Sequence, residues 1–163
     1  MTKGREGVGV VVKVNADQLV QVWAGTAGVK VDDQPIRWVI VAGGTADNLQ
    51  TTLRVFRGDK RLAGSGFRGR SLEPGTVIHP WSGQSSGLPF FVMARVNPTV
   101  TDVVVTTDLG IDVRLDMSGT VDRFGLRFGA TDLPEGHRPR AITAIVDGET
   151  SETAKLHEPT APG

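Results

Sequence analysis

Gly83-Gln84-Ser85-Ser86-Gly87 has the G-x-S-x-G spacing in which a sharp strand-to-helix turn exposes a serine as a nucleophile. His79, just upstream, is the imidazole that could take its proton. The flanks argue against that chemistry. His79-Pro80-Trp81-Ser82 precede the motif and Leu88-Pro89-Phe90 follow it, so a proline opposes the helix the turn should open. The segment reads as a loop and the chain as a non-enzyme, with a serine hydrolase built on Ser85 and His79 as the alternative.

Metal chemistry finds no better footing. His79, His137 and His157 lack the H-x-H or H-x-x-x-H spacing that aims two imidazoles at one ion, and there is no cysteine. Asp112 and Asp116 share a strand face but stand about 13 Å apart, too far for one ion to touch both. No metal and no cofactor are expected. One anomaly remains in the predicted hairpin, where Asp102 faces Asp116. Either Arg114 or another cation relieves the repulsion, the register frays, or a calcium ion sits between them.

Binding chemistry is better represented. Arg54, Phe56 and Arg61 fall on the outer face of a predicted hairpin, joined by Arg68 and Arg70 on the next strand. Basic groups around an aromatic ring can hold a phosphate backbone and stack a base, or can meet an acidic protein surface. The chain as a whole is balanced, with 18 basic and 18 acidic residues, so nucleic acid is not the expected partner. Trp81 lies in a Pro/Gly/Ser-rich stretch beside His79; exposed there, it could stack on a sugar ring or anchor a protein contact. The expected function is therefore a non-enzymatic interaction or assembly module that uses a protein partner or self-association. Its alternative is a ligand binder, taking carbohydrate at Trp81 or single-stranded nucleic acid at the arginine face.

These residues need rigid elements to hold them, and the hydrophobic pattern supplies strands. Ile111 to Met117 is apolar at every odd position and Phe124 to Ala130 at every even one, the period of a half-buried β-strand. Val8 to Val14 alternates similarly. Leu19 to Ala24 and Val29 to Val31 read as short runs broken by Gly25 and Gly28, and Trp38 to Ala42 as a central strand apolar on both faces. Gly58-Asp59 suits a type II′ hairpin between Thr51–Arg57 and Lys60–Ala63, with Arg57 opposite Lys60. A three-residue Asp108-Leu109-Gly110 loop sets Val103 opposite Leu115 and Val105 opposite Val113, and Asp147-Gly148 marks a type I′ turn. The returning Glu149–Leu156 has the polarity of a protected edge strand.

The pattern predicts an all-β fold, an antiparallel immunoglobulin- or fibronectin-like sandwich of about eight to eleven strands. Residues 8–156 form the expected single domain, with a possible sub-boundary at 82–87, a flexible segment at 1–7 and a disordered tail at 157–163. The first residues lack the apolar run of a secretory leader, and no window approaches the roughly 20 apolar residues of a membrane span. A soluble, cytoplasmic protein with no membrane partner is expected.

Overall fold

The computed structural model describes residues 18–156, so the expected Val8–Val14 strand, the 1–7 segment and the 157–163 tail lie outside the described residues. The described chain is all-β and antiparallel: twelve strands in three sheets of four. β1 (Val20–Val31), β2 (Gln34–Thr45), β3 (Asn48–Arg57) and β4 (Lys60–Gly69) form the first sheet in chain order. The second sheet has the order β9-β10-β6-β5, built from β5 (Ile78–Gly83), β6 (Phe91–Val96), β9 (Asp116–Met117) and β10 (Arg127–Asp132). The third, in the order β12-β11-β7-β8, comprises β7 (Asp102–Thr107), β8 (Asp112–Arg114), β11 (Pro139–Val146) and β12 (Glu149–Lys155).

Twelve strands exceed the expected eight to eleven, and three sheets replace one face-to-face pair. Two features of the chain account for this. The first is β6, buried along its whole length. Its Phe91 and Met93 join a core with Trp38, Ile40, Leu49 and Leu53 of the first sheet, while Val92, Ala94 and Val96 join a second core with Val103, Val105 and Ile142 of the third. A strand apolar on both faces can sit only between two layers. The second is Leu115, where the expected Ile111–Met117 strand divides. Arg114 still pairs with Val104 in the third sheet, whereas Asp116 pairs with Ala130 in the second.

That transfer resolves the Asp102–Asp116 anomaly. Asp116 has left the sheet, and Arg114 Nη1 binds Asp102 Oδ1 at 2.7 Å. The predicted register otherwise holds: Val105 pairs with Val113, Leu115 N donates to Val103 O at 2.9 Å, and Gly110 takes the positive φ of 81° that a three-residue turn requires.

Three further local expectations change. Gly25 and Gly28 do not divide β1, because the Asp132 carboxylate accepts from Gly28 N at 2.7 Å and Val29 N at 2.9 Å and so holds the irregular stretch against the second sheet. Lys60–Ala63 extends to Gly69; Arg57 pairs with Lys60 as expected, but a bulge at Leu62 shifts the register beyond Phe56 and places Val55 opposite Ala63. In the expected Phe124–Ala130 run, the strand starts only at Arg127; Val121–Leu126 forms a tight turn closed by an isolated bridge. Both halves of the chain are thus strand-rich, and residues 84–90 link two paired neighbours, β5 and β6.

Candidate binding site

β4 and β5 are the outer strands of the first and second sheets. They flank the same side of the first core, and one end of the gap between them is shut. Arg95 projects from β6 into that end, with none of its surface exposed. Its five N–H groups find five acceptors. Nε donates to Ser71 O at 2.9 Å, Nη1 to Leu49 O at 2.9 Å and Thr51 Oγ1 at 2.8 Å, and Nη2 to Gly69 O at 3.2 Å and Arg70 O at 2.6 Å. The guanidinium also lies 4.3 Å from the centroid of the Phe67 ring. No carboxylate is among these partners. Burial lowers the Arg95 pKa to about 10, which leaves it charged at neutral pH.

His79 completes the plug. Its ring packs on Phe67 with centroids 4.5 Å apart, and Nδ1 is 3.1 Å from Arg70 O and 3.4 Å from Arg95 Nη2. Nδ1 can donate to the carbonyl or accept from the guanidinium, not both. Burial first, then the Arg95 charge, push the His79 pKa below the ordinary imidazole value.

Beyond the plug the gap opens into a cleft of about 420 Å³. Its floor is apolar, from Leu53, Val55, Leu88 and Phe91, and its walls are β4 around Ser65 and β5 around Trp81. Among the described residues no charged one lines it. Trp81 stands on a strand, not in a loop, and is half-buried; its indole lies so close to Gly83 that a Cβ there would be 2.7 Å from the ring. Any side chain at residue 83 would displace the indole from the cleft wall.

The outer face of the first sheet carries the predicted basic cluster, with changes. Arg37, Phe56 and Arg61 stand side by side on β2, β3 and β4, and the Arg37 guanidinium lies 4.5 Å from the Phe56 ring centroid. Arg54 follows on the same face of β3, opposite Gly64, with its Cγ 3.7 Å from where a Cβ would sit on that glycine. Arg68 is on β4 itself, not on a following strand, and its Nε donates to Gln50 Oε1 at 3.1 Å. Arg70 lies past the end of β4, where its carbonyl rather than its guanidinium holds the plug. Among the described residues Arg57 is the one arginine of this region paired with a carboxylate, to Asp32 at 2.8 Å. Among the described residues no carboxylate pairs with Arg37, Arg54, Arg61 or Arg68.

Of the predicted residues, then, Arg54, Phe56 and Arg61 come together, Arg68 stands further along the same face, and His79 and Trp81 lie on the inner side. Ser85 lines the cleft with Trp81, but His79 does not. Gly83 and His79 are about 13 Å apart along β5, and no helix follows the Gly83–Gly87 segment. His137 has a separate partner, Thr107 Oγ1 at 3.0 Å, and His157 lies outside the described residues. A further depression of about 720 Å³ mixes Lys30 and Arg138 with Asp32 and Glu135. Among the described residues no group of three or more His, Asp or Glu side chains could hold a metal ion, and no helix is long and apolar enough to cross a membrane.

Two residues escaped the sequence reading. Arg95 is the one charge in Phe90-Phe91-Val92-Met93-Ala94-Arg95-Val96, and a lone guanidinium in a buried run signals a fully bonded interior cation. Arg37 alternates with Ile36 and Trp38, which assigns it to the outer face. Comparison of the chain with protein-family models, with curated proteins and with solved structures finds no match.

Proposed function

We propose that this chain is a non-enzymatic interaction module whose partner is an acidic protein surface met by the outer face of the first sheet. The observation that carries the reading is the set Arg37, Arg54, Arg61 and Arg68 on one face of three paired strands, with no neutralising carboxylate among the described residues. Like charges gathered on a rigid face repel one another, and an anionic partner relieves that repulsion. The immunoglobulin- or fibronectin-like character of the scaffold rests on strand spacing alone. Single-stranded nucleic acid fits less well, because stacking a base on Phe56 requires displacing the Arg37 guanidinium already over its ring.

Binding of the folded protein to poly-glutamate, followed by fluorescence anisotropy at increasing salt, tests the reading. The expected result is salt-sensitive binding weakened about tenfold or more in Arg54→Ala/Arg61→Ala. Absence of poly-glutamate binding at low salt would sink it. Preferential binding of an oligonucleotide, lost in the same variant, would instead establish the nucleic-acid alternative.

A further inference from the structure

From the edge of β4 that no described strand covers and the uncharged cleft beside it, we infer that the partner of this module is an extended segment that adds to β4 as a further strand, with apolar residues alternating with acidic ones. The inference rests on the interaction reading above and names the chemistry and the position of the partner.

The edge is open where the cleft is open. In the first sheet β4 pairs with β3 alone, so among the described residues its other row of N–H and C=O groups has no strand partner. Such a row is a template for β-augmentation. Gly64 and Ser65, in the middle of β4, are exposed. Two of the usual protections of an edge are missing there: Leu62-Ala63-Gly64-Ser65-Gly66 contains no proline and no charge, and the one bulge, at Leu62, lies at the end of this stretch. At the Phe67 end, the ring of His79 blocks the inner side. The accessible template is therefore Arg61–Gly66.

Alternation of side chains sets the chemistry of the guest. In an added strand, successive side chains point to opposite faces of the first sheet. Those pointing inward, beside Ala63 and Ser65, enter a cleft floored by Leu53, Val55 and Phe91 and lined by no charge. Apolar residues belong there, since burying a charge without a partner is costly. Side chains pointing outward lie beside Arg61 and beside Gly64, which pairs with Arg54 and has the Arg54 Cγ 3.7 Å from where its Cβ would sit. Carboxylates belong there. Strand pairing supplies affinity and the two faces supply the sequence code, apolar in and acidic out.

The test uses the full chain and the peptide acetyl-Glu-Val-Glu-Val-Glu-Val-Glu-amide, with two controls: the same peptide with lysine for glutamate, and a block peptide with its glutamates and valines segregated. Titration is followed by fluorescence and by amide hydrogen exchange. The expected result is saturable binding by the alternating acidic peptide, exchange slowed within residues 61–66, and about tenfold or weaker binding of both controls. Ser65→Glu, at an exposed position, should abolish binding without unfolding the protein, and Arg61→Glu should weaken the acidic peptide while strengthening the lysine one. No saturation at about 1 mM peptide, equal binding of the block peptide, or protection elsewhere than β4 overturns the inference. If poly-glutamate still binds through Arg54 and Arg61 in that event, the interaction reading survives; if it does not, both fail.

Discussion

The two faces of β6 hold their neighbours in different ways. Toward the third sheet, Val92, Ala94 and Val96 meet Val103, Val105 and Ile142 in an aliphatic interface. Toward the first sheet, Phe91 and Met93 meet Trp38 and Leu53, and then Arg95 replaces apolar packing with five hydrogen bonds to the ends of β3 and β4. Dispersion and burial need only close fit. A guanidinium needs particular acceptors in particular places. It pins the chain at Gly69, Arg70 and Ser71 while leaving the rest of the same opening unfilled. The first interface therefore combines a fixed edge strand with an accessible cleft, which is what a binding surface requires.

Replacing Arg95 is the largest expected way to break this contrast. Arg95→Met keeps much of the volume but leaves Leu49 O, Gly69 O, Arg70 O and Ser71 O without this donor in a site where water enters poorly, and should cost about 3–5 kcal/mol. Hydrogen exchange should speed up first at residues 69–71. Ile142→Val, in the aliphatic interface, should cost about 0.5–1.5 kcal/mol and produce no such local opening. Urea unfolding of the two variants measures the difference. A cost below about 1 kcal/mol for Arg95→Met would mean that the guanidinium is not what fastens the first interface.

The same contrast explains what could be read from the sequence. Alternation alone identified the faces of β3 and the register of β7 with β8, because each has one apolar side and one polar side. It was blind at Leu115, since Val113, Leu115 and Met117 keep the same parity while the chain changes sheets. A hydrophobic period records burial, not which layer does the burying. The polar interface was harder still. Arg95 bonds to residues far away in sequence, with no spacing rule to announce it, and Gly64-Ser65-Gly66 looked like the end of a strand that continues through them to Gly69. The outer cluster was half legible: Arg54, Phe56 and Arg61 are local to one hairpin, whereas Arg37 joins them from β2.

Acid should sharpen the difference between the interfaces by a smaller amount. The His79 pKa is held down in the folded state by burial and by Arg95; Arg70 O, the Ser71 backbone and Glu73 act in the opposite direction. Below the ordinary value near 6.5 the unfolded chain takes up the proton first, so this contribution is fully present above 6.5 and is lost as pH falls through the lowered folded pKa. Stability of the wild type should drop between pH 7.5 and 5, and His79→Gln, which can still donate to Arg70 O, should flatten that part of the profile. An unchanged pH dependence in the variant would show that His79 is not the group responsible.

The smallest effect belongs to the third sheet. Arg114 and Asp102 pair at 2.7 Å, but their side chains are 67% and 46% exposed, so solvent and salt screen the attraction. Arg114→Ala should cost less than about 1 kcal/mol, and added salt should shrink even that. Asp102 no longer faces Asp116 across a strand pair, so loss of Arg114 does not expose a repulsion. A double-mutant cycle with Asp102→Ala isolates the pair. A coupling above about 2 kcal/mol, persisting in high salt, would mean that this ion pair holds the chain at the point where it crosses from the third sheet to the second. The aliphatic interface would then depend on a polar fastener as the other one does.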